Sequence, residues 1–269
     1  MRNISFCFII KDGQDYLEKN LKKIIDLGNS YFNEYRIYYT ENDSKDNTIK
    51  ILENFKNKYS NIYGIHLKLD GLYSTDLCKN SISYNCSNRT RRLAYLRNIT
   101  LNQAKKWYKC DYLIMLDLDF IDFNKFEFKK MFDIINNNHN IDGIFGMSFD
   151  CYNIPYDIGA IRPSFKILNI LYETRLVKVS SAFSGFGIYR MKSIKNIEYN
   201  INTNEIEHID FNYKLNNLYV YTYFKPKYEF SGYSILLSKF LFIIFFIILF
   251  IIFLINIKKI SKLFLKYKK

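Results

Sequence analysis

The chain has 269 residues, with 39 Lys or Arg and 26 Asp or Glu, which gives a formal net charge of +13. Hydrophobic residues make up 49% of the chain, with only ten Gly and three Pro, and this excludes a disordered or collagen-like protein. The five Cys form no CxxC pair, which argues against a disulfide scaffold or a zinc knuckle. Cys78 and Cys86 are the candidate pair for a disulfide.

Strand and helix patterns alternate along residues 1–230. Short apolar or β-branched runs predict strands at 4–10, 35–40, 62–67, 112–116, 143–149 and 182–189. Apolar residues spaced three or four apart predict helices at 16–28, 48–58 and 88–107, with Gly28 ending the first and a loop at 70–88. This alternation predicts an α/β fold with a mostly parallel sheet flanked by helices. Such sheets bind ligands at the carboxyl ends of their strands.

The segment after the second predicted strand, Glu41–Thr48, is acidic and polar. Its carboxylate and amide oxygens can accept hydrogen bonds from a ribose hydroxyl or a base edge, so Glu41 and Asp43 are candidate nucleoside-binding residues. The same composition is typical of a helix start, and Asp46 or Asn47 is expected to cap the helix that follows. We expect Asp43 to be the more functional residue and Asp46 the more structural one.

A basic run at Arg89–Asn98 begins the third predicted helix. Arg91, Ala94 and Asn98 share one face of that helix, and the small Ala94 would let a ligand approach closely. Arg91, Arg97 and Asn98 are therefore candidates to contact a diphosphate, because cations stabilise the negative charge that develops there. The alternative interpretation is a solvated basic helix face.

The fourth predicted strand ends in the acid pair Asp117-Leu118-Asp119. Residues two apart on an extended backbone point to the same side, so both carboxylates are expected to leave the strand end together. Two hard oxygen ligands suit Mn²⁺ or Mg²⁺. Such a cation neutralises charge on a departing nucleotide, which favours group transfer from a nucleotide donor.

Two later segments carry candidate site residues. Gly185 and Gly187 would allow a ligand to approach the backbone closely. Glu207, His208 and Asp210 form a titratable cluster that is suited to supply a further metal ligand or a base. A surface turn is the alternative interpretation of that cluster.

The C-terminal end has the composition of a membrane segment. Phe240–Ile255 is an unbroken run of Phe, Leu and Ile, and with its flanks it is long enough to cross a bilayer as a helix. We therefore predict a single-pass anchor at 231–257 and a basic tail at 258–269. Residues 231–269 hold seven Lys and no acidic residue, so residues 1–230 carry only +6. Without a leading signal sequence we expect residues 1–230 on the cytosolic side, although the Lys-rich tail favours the opposite orientation.

In their order and spacing these motifs resemble those of metal-dependent GT-A glycosyltransferases, and more narrowly those of the fungal capsule-associated mannosyltransferase family. The resemblance runs from Ile4 to Leu215 and rests on residues 41–48, 92–98 and 116–119. It implies a GDP- or UDP-sugar donor, Mn²⁺ or Mg²⁺, and transfer to a glycan or another hydroxyl acceptor. Members of that family are anchored at the N-terminus, whereas the predicted anchor of this chain is C-terminal.

The sequence thus predicts a membrane-anchored glycosyltransferase at residues 1–230, a hexosyltransferase such as a mannosyltransferase, with the lipid bilayer as a partner. The predicted roles are catalysis by Glu207 and Asp210, metal binding by Asp117, Asp119 and His208, and donor binding by Glu41, Asp43, Arg91, Arg97 and Asn98. Three alternatives stay open: a non-catalytic scaffold on a degenerate glycosyltransferase fold, a nucleotidyl- or phosphotransferase that uses the same acid pair, and a nucleic-acid-binding protein. We expect no nucleic-acid partner, because +6 without a basic stripe is a weak polyanion signal.

Overall fold

The computed structural model describes residues 2–69, 87–150, 155, 158–164, 176–203 and 205–228. The predicted anchor, the basic tail and the Cys78–Cys86 pair lie outside these residues, so they stay predictions. Within the described ranges, no helix has the length and apolar character needed to cross a membrane.

Strands and helices alternate in the first half, as predicted. In chain order the elements are β1 (Asn3–Ile10), α1 (Leu17–Tyr31), β2 (Glu34–Asn42), α2 (Thr48–Lys58), β3 (Ile62–Leu67), α3 (Ser87–Lys105), β4 (Tyr112–Leu116), β5 (Phe120–Asp122), α4 (Lys125–Asn137), β6 (Gly143–Gly146), β7 (Phe149–Asp150), a 3-10 turn (Ile158–Ala160), β8 (Leu176–Val179), β9 (Phe186–Arg190), α5 (Met191–Ile194), α6 (Glu207–Asn212), β10 (Leu218–Tyr221) and β11 (Lys227–Tyr228).

The main sheet is mixed rather than mostly parallel, which corrects the sequence-based expectation. Its strand order over the described residues is β3-β2-β1-β4-β9-β6-β10-β8. The β3–β2, β2–β1, β1–β4 and β6–β10 pairs are parallel. The β4–β9, β9–β6 and β10–β8 pairs are antiparallel. A small second sheet has the order β5-β11-β7.

The core lies on both faces of the main sheet because successive strand residues point to opposite sides. In β1, Phe6 and Phe8 pack on the side of α1 and α4, where they join the core residues Leu21 and Phe128. Cys7, between them, belongs to the cluster on the other side, where α3 packs. Nearly every residue of β1 is buried, as expected for a strand covered on both faces.

Several element boundaries differ from the predictions: the strand predicted at 182–189, for example, is β9 at Phe186–Arg190. Gly28 does not end the first helix, which continues to Tyr31; a Cβ at Gly28 would lie 2.6 Å from the ring of Tyr35, so this glycine makes room for the next strand. The predicted strand at 143–149 is interrupted: β6 ends at Gly146, and β7 belongs to the second sheet.

Candidate functional site

The carboxyl ends of β1, β2 and β4 meet at one edge of the main sheet, because these three strands are parallel neighbours. Residues after each strand therefore come together there. Burial raises the pKa of the Tyr16 hydroxyl, and four carboxylates close enough to interact with it raise the pKa further: Asp119, Asp117, Asp46 and Asp12. The residues that follow the three strands therefore surround Tyr16. We call this set of strand ends the carboxyl edge.

The loop after β1 and the loop after β2 are bonded to each other. Asp12 accepts a hydrogen bond from the Lys45 backbone N–H at 2.7 Å. In the other direction, Asp46 accepts from the backbone N–H of Gln14 at 3.0 Å and from that of Thr48 at 2.9 Å. Asp46 is thus structural, as expected, and it lowers the cost of starting α2. These hydrogen bonds join the two loops into one wall of the carboxyl edge.

The buried side chain of Glu41 supports this wall through hydrogen bonds. It is 1% exposed, and its Oε1 accepts a hydrogen bond from the Ser44 backbone N–H at 2.8 Å. Its Oε2 lies 3.1 Å from Nδ1 of His66, whose Nε2 lies 2.8 Å from Glu53. Buried carboxylates require such partners. The contacts give Glu41 a role in shaping the turn that presents Asp43.

Asp43 lies at the turn itself and has a left-handed backbone with φ of 52°. Its Oδ1 accepts from the Leu69 backbone N–H at 3.1 Å, and its Oδ2 from the Asn42 amide at 3.1 Å. Its negative charge also favours the charged form of Arg92, whose pKa burial and Arg89 lower. Asp43 is half-buried, so it stays reachable from the carboxyl edge.

The acid pair after β4 has two different environments. The Asp117 backbone N–H donates to the Gly185 carbonyl at 2.8 Å, and Tyr228 donates to the same carbonyl at 2.9 Å. Asp119 is turned inward: its Oδ1 is buried and has no hydrogen-bond partner among the described residues. Burial raises the pKa of Asp119, and the neighbouring carboxylate of Asp117 raises it further. The unsatisfied oxygen and the adjacent carboxylate fit a hard divalent cation.

Arg97 links this acid pair to α6. Its Nη2 lies 3.1 Å from Asp117 Oδ1, and its Nε lies 3.1 Å from Glu207 Oε1. The side chain is 4% exposed and lies over the ring of Phe183, 5.0 Å from its centroid. Burial lowers the pKa of Arg97, but the carboxylates of Asp117 and Glu207 outweigh burial and raise it, so the guanidinium stays charged.

The predicted cluster on α6 is divided between two environments. Glu207 is buried against Arg97, and the ring of His208 stacks on Phe183 with centroids 3.5 Å apart. Burial lowers the pKa of His208, and Arg97 lowers it further, so the imidazole is neutral. Asp210 is half-exposed and accepts from the Asn200 amide at 3.3 Å.

Two further predicted donor-binding residues behave differently. The Nε of Arg91 is buried without a hydrogen-bond partner in the described part of the chain, which leaves a donor available. Both polar atoms of the Asn98 amide are engaged: its Nδ2 donates to the Tyr199 carbonyl at 2.8 Å, and its Oδ1 accepts from the Tyr199 N–H at 2.8 Å. Asn98 therefore ties α3 to the segment before α6.

The structure does not bring three metal-binding side chains together: the described residues contain no group of three His, Cys, Asp or Glu arranged to hold a metal ion. His208 contacts Tyr199 and Glu207 at 3.4 and 3.7 Å, and it is not assembled with Asp117 and Asp119 into such a group. The acid pair alone fits a cation whose other ligands would be water and phosphate oxygens.

Sequence reasoning did not identify Asp12 or Tyr16 as part of this edge. The signal available for Asp12 was its position directly after β1, in Lys11-Asp12-Gly13. No such signal indicated Tyr16, because it belongs to the apolar pattern that predicts α1.

No protein-family model matches this chain, and no curated protein matches its sequence. Its fold, in contrast, has been seen before. The mixed α/β sheet with the acid pair at its carboxyl edge is a GT-A-like fold, the class to which its structural neighbours belong. The likeness to the fungal capsule-associated mannosyltransferase family stays a prediction.

Two solved structures illustrate the similarity. The first is residues 1–349 of S. aureus TarS in complex with UDP, with 16% identity and a TM-score of 0.54 over 86% of this chain and 61% of that one. The second is GalNAc-T7 with UDP, GalNAc and Mn²⁺, with 12% identity and a TM-score of 0.55 over 86% of this chain and 44% of that one. The present chain thus spans less than two thirds of either protein.

Proposed function

We propose that the domain formed by residues 1–228 is a metal-dependent glycosyltransferase that transfers a sugar from a nucleotide-sugar donor to a hydroxyl acceptor. The observation that carries this proposal is the position of Asp117 and Asp119. They lie at the edge of a GT-A-like sheet, beside the wall formed by the loops after β1 and β2. The UDP in the TarS and GalNAc-T7 structures makes UDP-sugars the first donors to test, ahead of GDP-sugars such as GDP-mannose.

Five of the described residues have defined parts in this proposal. Asp117 and Asp119 would hold Mn²⁺ or Mg²⁺, which neutralises the charge of the departing diphosphate. The unpaired Nε of Arg91 would donate a hydrogen bond to a phosphate oxygen. Asp43, presented by Glu41, would accept from the nucleoside, since a half-buried carboxylate can bind hydroxyl or N–H donors.

The acceptor hydroxyl loses a proton as the new glycosidic bond forms, so a base is needed. Asp210 is our candidate, because it is the partly exposed carboxylate of α6, and among the described residues only Asn200 donates a hydrogen bond to it. If Asp210→Asn retains the turnover of the wild-type protein, this assignment is wrong.

The test of the activity is turnover of a panel of UDP- and GDP-sugars by the full chain with Mn²⁺, followed as nucleotide release. We expect Asp119→Asn to lower kcat/KM at least about 100-fold, since a metal supplies several kcal/mol of charge stabilisation. Asp133→Asn is the matched control, because Asp133 is an exposed partner of Lys129 on α4. Full activity in Asp119→Asn would contradict the proposal.

Two other results would favour the alternative functions. Absence of both turnover and Mn²⁺-dependent nucleotide binding would favour a non-catalytic scaffold. Cleavage of nucleoside triphosphates without cleavage of sugar nucleotides would favour a nucleotidyl- or phosphotransferase. The nucleotide-release assay measures cleavage of either kind of substrate, and calorimetry with UDP and GDP measures nucleotide binding.

We also propose that residues 231–257 anchor the protein in a membrane, with residues 1–230 on the cytosolic side. The apolar run at 240–255 and the Lys-rich segment after it support the anchor, not the orientation. The full chain should stay with membranes after alkaline carbonate extraction, and a variant ending at residue 230 should not. Protease added outside intact vesicles tests the orientation: residues 1–230 should be digested if they lie on the cytosolic side.

A further inference from the structure

A row of buried charges runs from the acid pair into the interior. Glu207 and Arg97 are each 4% exposed, and Asp117 is 23% exposed. Arg97 contacts one oxygen of each carboxylate at 3.1 Å, and its remaining nitrogen, Nη1, is buried without a hydrogen-bond partner in the described residues. Asp117 is the one member of this row at the carboxyl edge.

The surroundings fix Arg97 in this position. Phe183 packs against its guanidinium, and the ring of His208 stacks on Phe183 with centroids 3.5 Å apart. His208 is neutral, so it adds no charge to the row. Glu207 is therefore the counter-charge that the described structure places on Arg97 away from the edge.

This arrangement has an electrostatic consequence for any cation on the acid pair. A lone guanidinium 3.1 Å from Asp117 would offset the charge of that carboxylate and disfavour a divalent cation. Glu207 compensates the guanidinium charge, so Arg97 offsets less of the negative potential of the acid pair at the carboxyl edge. In a buried setting such compensation is poorly screened by water.

We propose that Glu207 is a positioning residue that acts on Asp117 through Arg97: it fixes the guanidinium that orients Asp117 and cancels its positive charge, so that the acid pair binds a divalent cation. The inference rests on the proposed metal-binding role of Asp117 and Asp119. It assigns to Glu207 a role other than that of the base.

The experiment measures Mn²⁺ binding to the full chain by the electron paramagnetic resonance signal of free Mn²⁺. Residues that support metal ligands from behind change affinity about 10- to 100-fold when mutated, and we expect Glu207→Gln to raise the Kd for Mn²⁺ by that factor. Its turnover should recover at saturating Mn²⁺. Arg190→Lys is the control: Arg190 is buried and bonded to Tyr112 and three backbone carbonyls, and its Kd for Mn²⁺ should not change.

A second variant covers the case in which Glu207→Gln does not fold. Glu207→Asp keeps the charge but retracts the carboxylate from Arg97, and we expect it to fold and to bind Mn²⁺ about threefold or more weakly. An unchanged Kd in the folded variants, or turnover that saturating Mn²⁺ does not restore, overturns the inference. Equal Mn²⁺ binding by the wild-type protein and Asp119→Asn overturns the proposed metal site instead, so the two failures are distinguishable.

Discussion

The amide of Asn98 yields a prediction that separates a structural role from a ligand-binding one. Asn98→Ala removes both hydrogen bonds to Tyr199, a residue that is 3% exposed. It leaves a backbone N–H and a backbone carbonyl without these partners. Each buried group left unsatisfied costs about 1–3 kcal/mol. We therefore expect the free energy of unfolding to fall by about 2–6 kcal/mol, and the melting temperature to fall by roughly 4–24 °C.

Urea unfolding, followed by the fluorescence of the single tryptophan, Trp107, measures this loss. Asn102→Ala is a matched control one turn later on α3, since its amide donates to Glu198 at 3.2 Å on the exposed surface. We expect the control to change stability by less than about 0.5 kcal/mol. If Asn98→Ala unfolds at the wild-type urea concentration but binds the nucleotide-sugar tenfold more weakly, Asn98 contacts the donor and the structural reasoning is wrong.

Three further predictions concern the sheet and the loops it supports. His66→Ala removes a partner of the buried Glu41, and we expect the KM for the donor to rise about three- to tenfold with little change in kcat, as steady-state kinetics would show. Gly64→Ala places a Cβ on the ring of the buried Tyr39, and urea unfolding should show a loss of about 1–3 kcal/mol that shrinks in a Tyr39→Leu background. Burial raises the pKa of Cys110 to about 11. Because the unfolded thiol ionises at lower pH, stability should fall by up to about 3 kcal/mol between pH 9 and 11, and Cys110→Ala should show a shallower fall.

The parts of the site that follow strands could be predicted from the sequence. β3, α2 and β4 were predicted with the bounds that the structure gives, because each is a short run with a clear period. Parallel strands place their carboxyl ends together, so Asp43 and Asp117 could be assigned to one edge before any coordinates were known.

The contacts of Arg97 could not be predicted in this way. Its partners lie 20 and 110 residues away in the chain, and no periodicity relates such positions. The helix pattern placed Arg91 and Asn98 with Ala94, whereas the structure buries Arg97 on the same side of α3 as Ala94 and Leu101. A buried arginine is rare without paired charges, and sequence alone does not show the pair.

The antiparallel strands were missed for a related reason. The run at 182–189, which overlaps β9, indicates a buried strand but carries no information on its direction. The neighbours of a strand are decided by long-range pairing, which no local pattern in the sequence shows.

The position of β9 has a consequence for how the chain folds. In the sheet, β9 lies between β4 and β6 and hydrogen-bonds to both, so the first four strands join the second half only when this late segment is in place. Gly185, whose carbonyl accepts the backbone N–H of Asp117, immediately precedes β9. Contacts so distant in sequence form slowly. During synthesis, the acid pair would therefore emerge long before its surroundings exist, and we expect it to become ordered late, in the same step that closes the sheet.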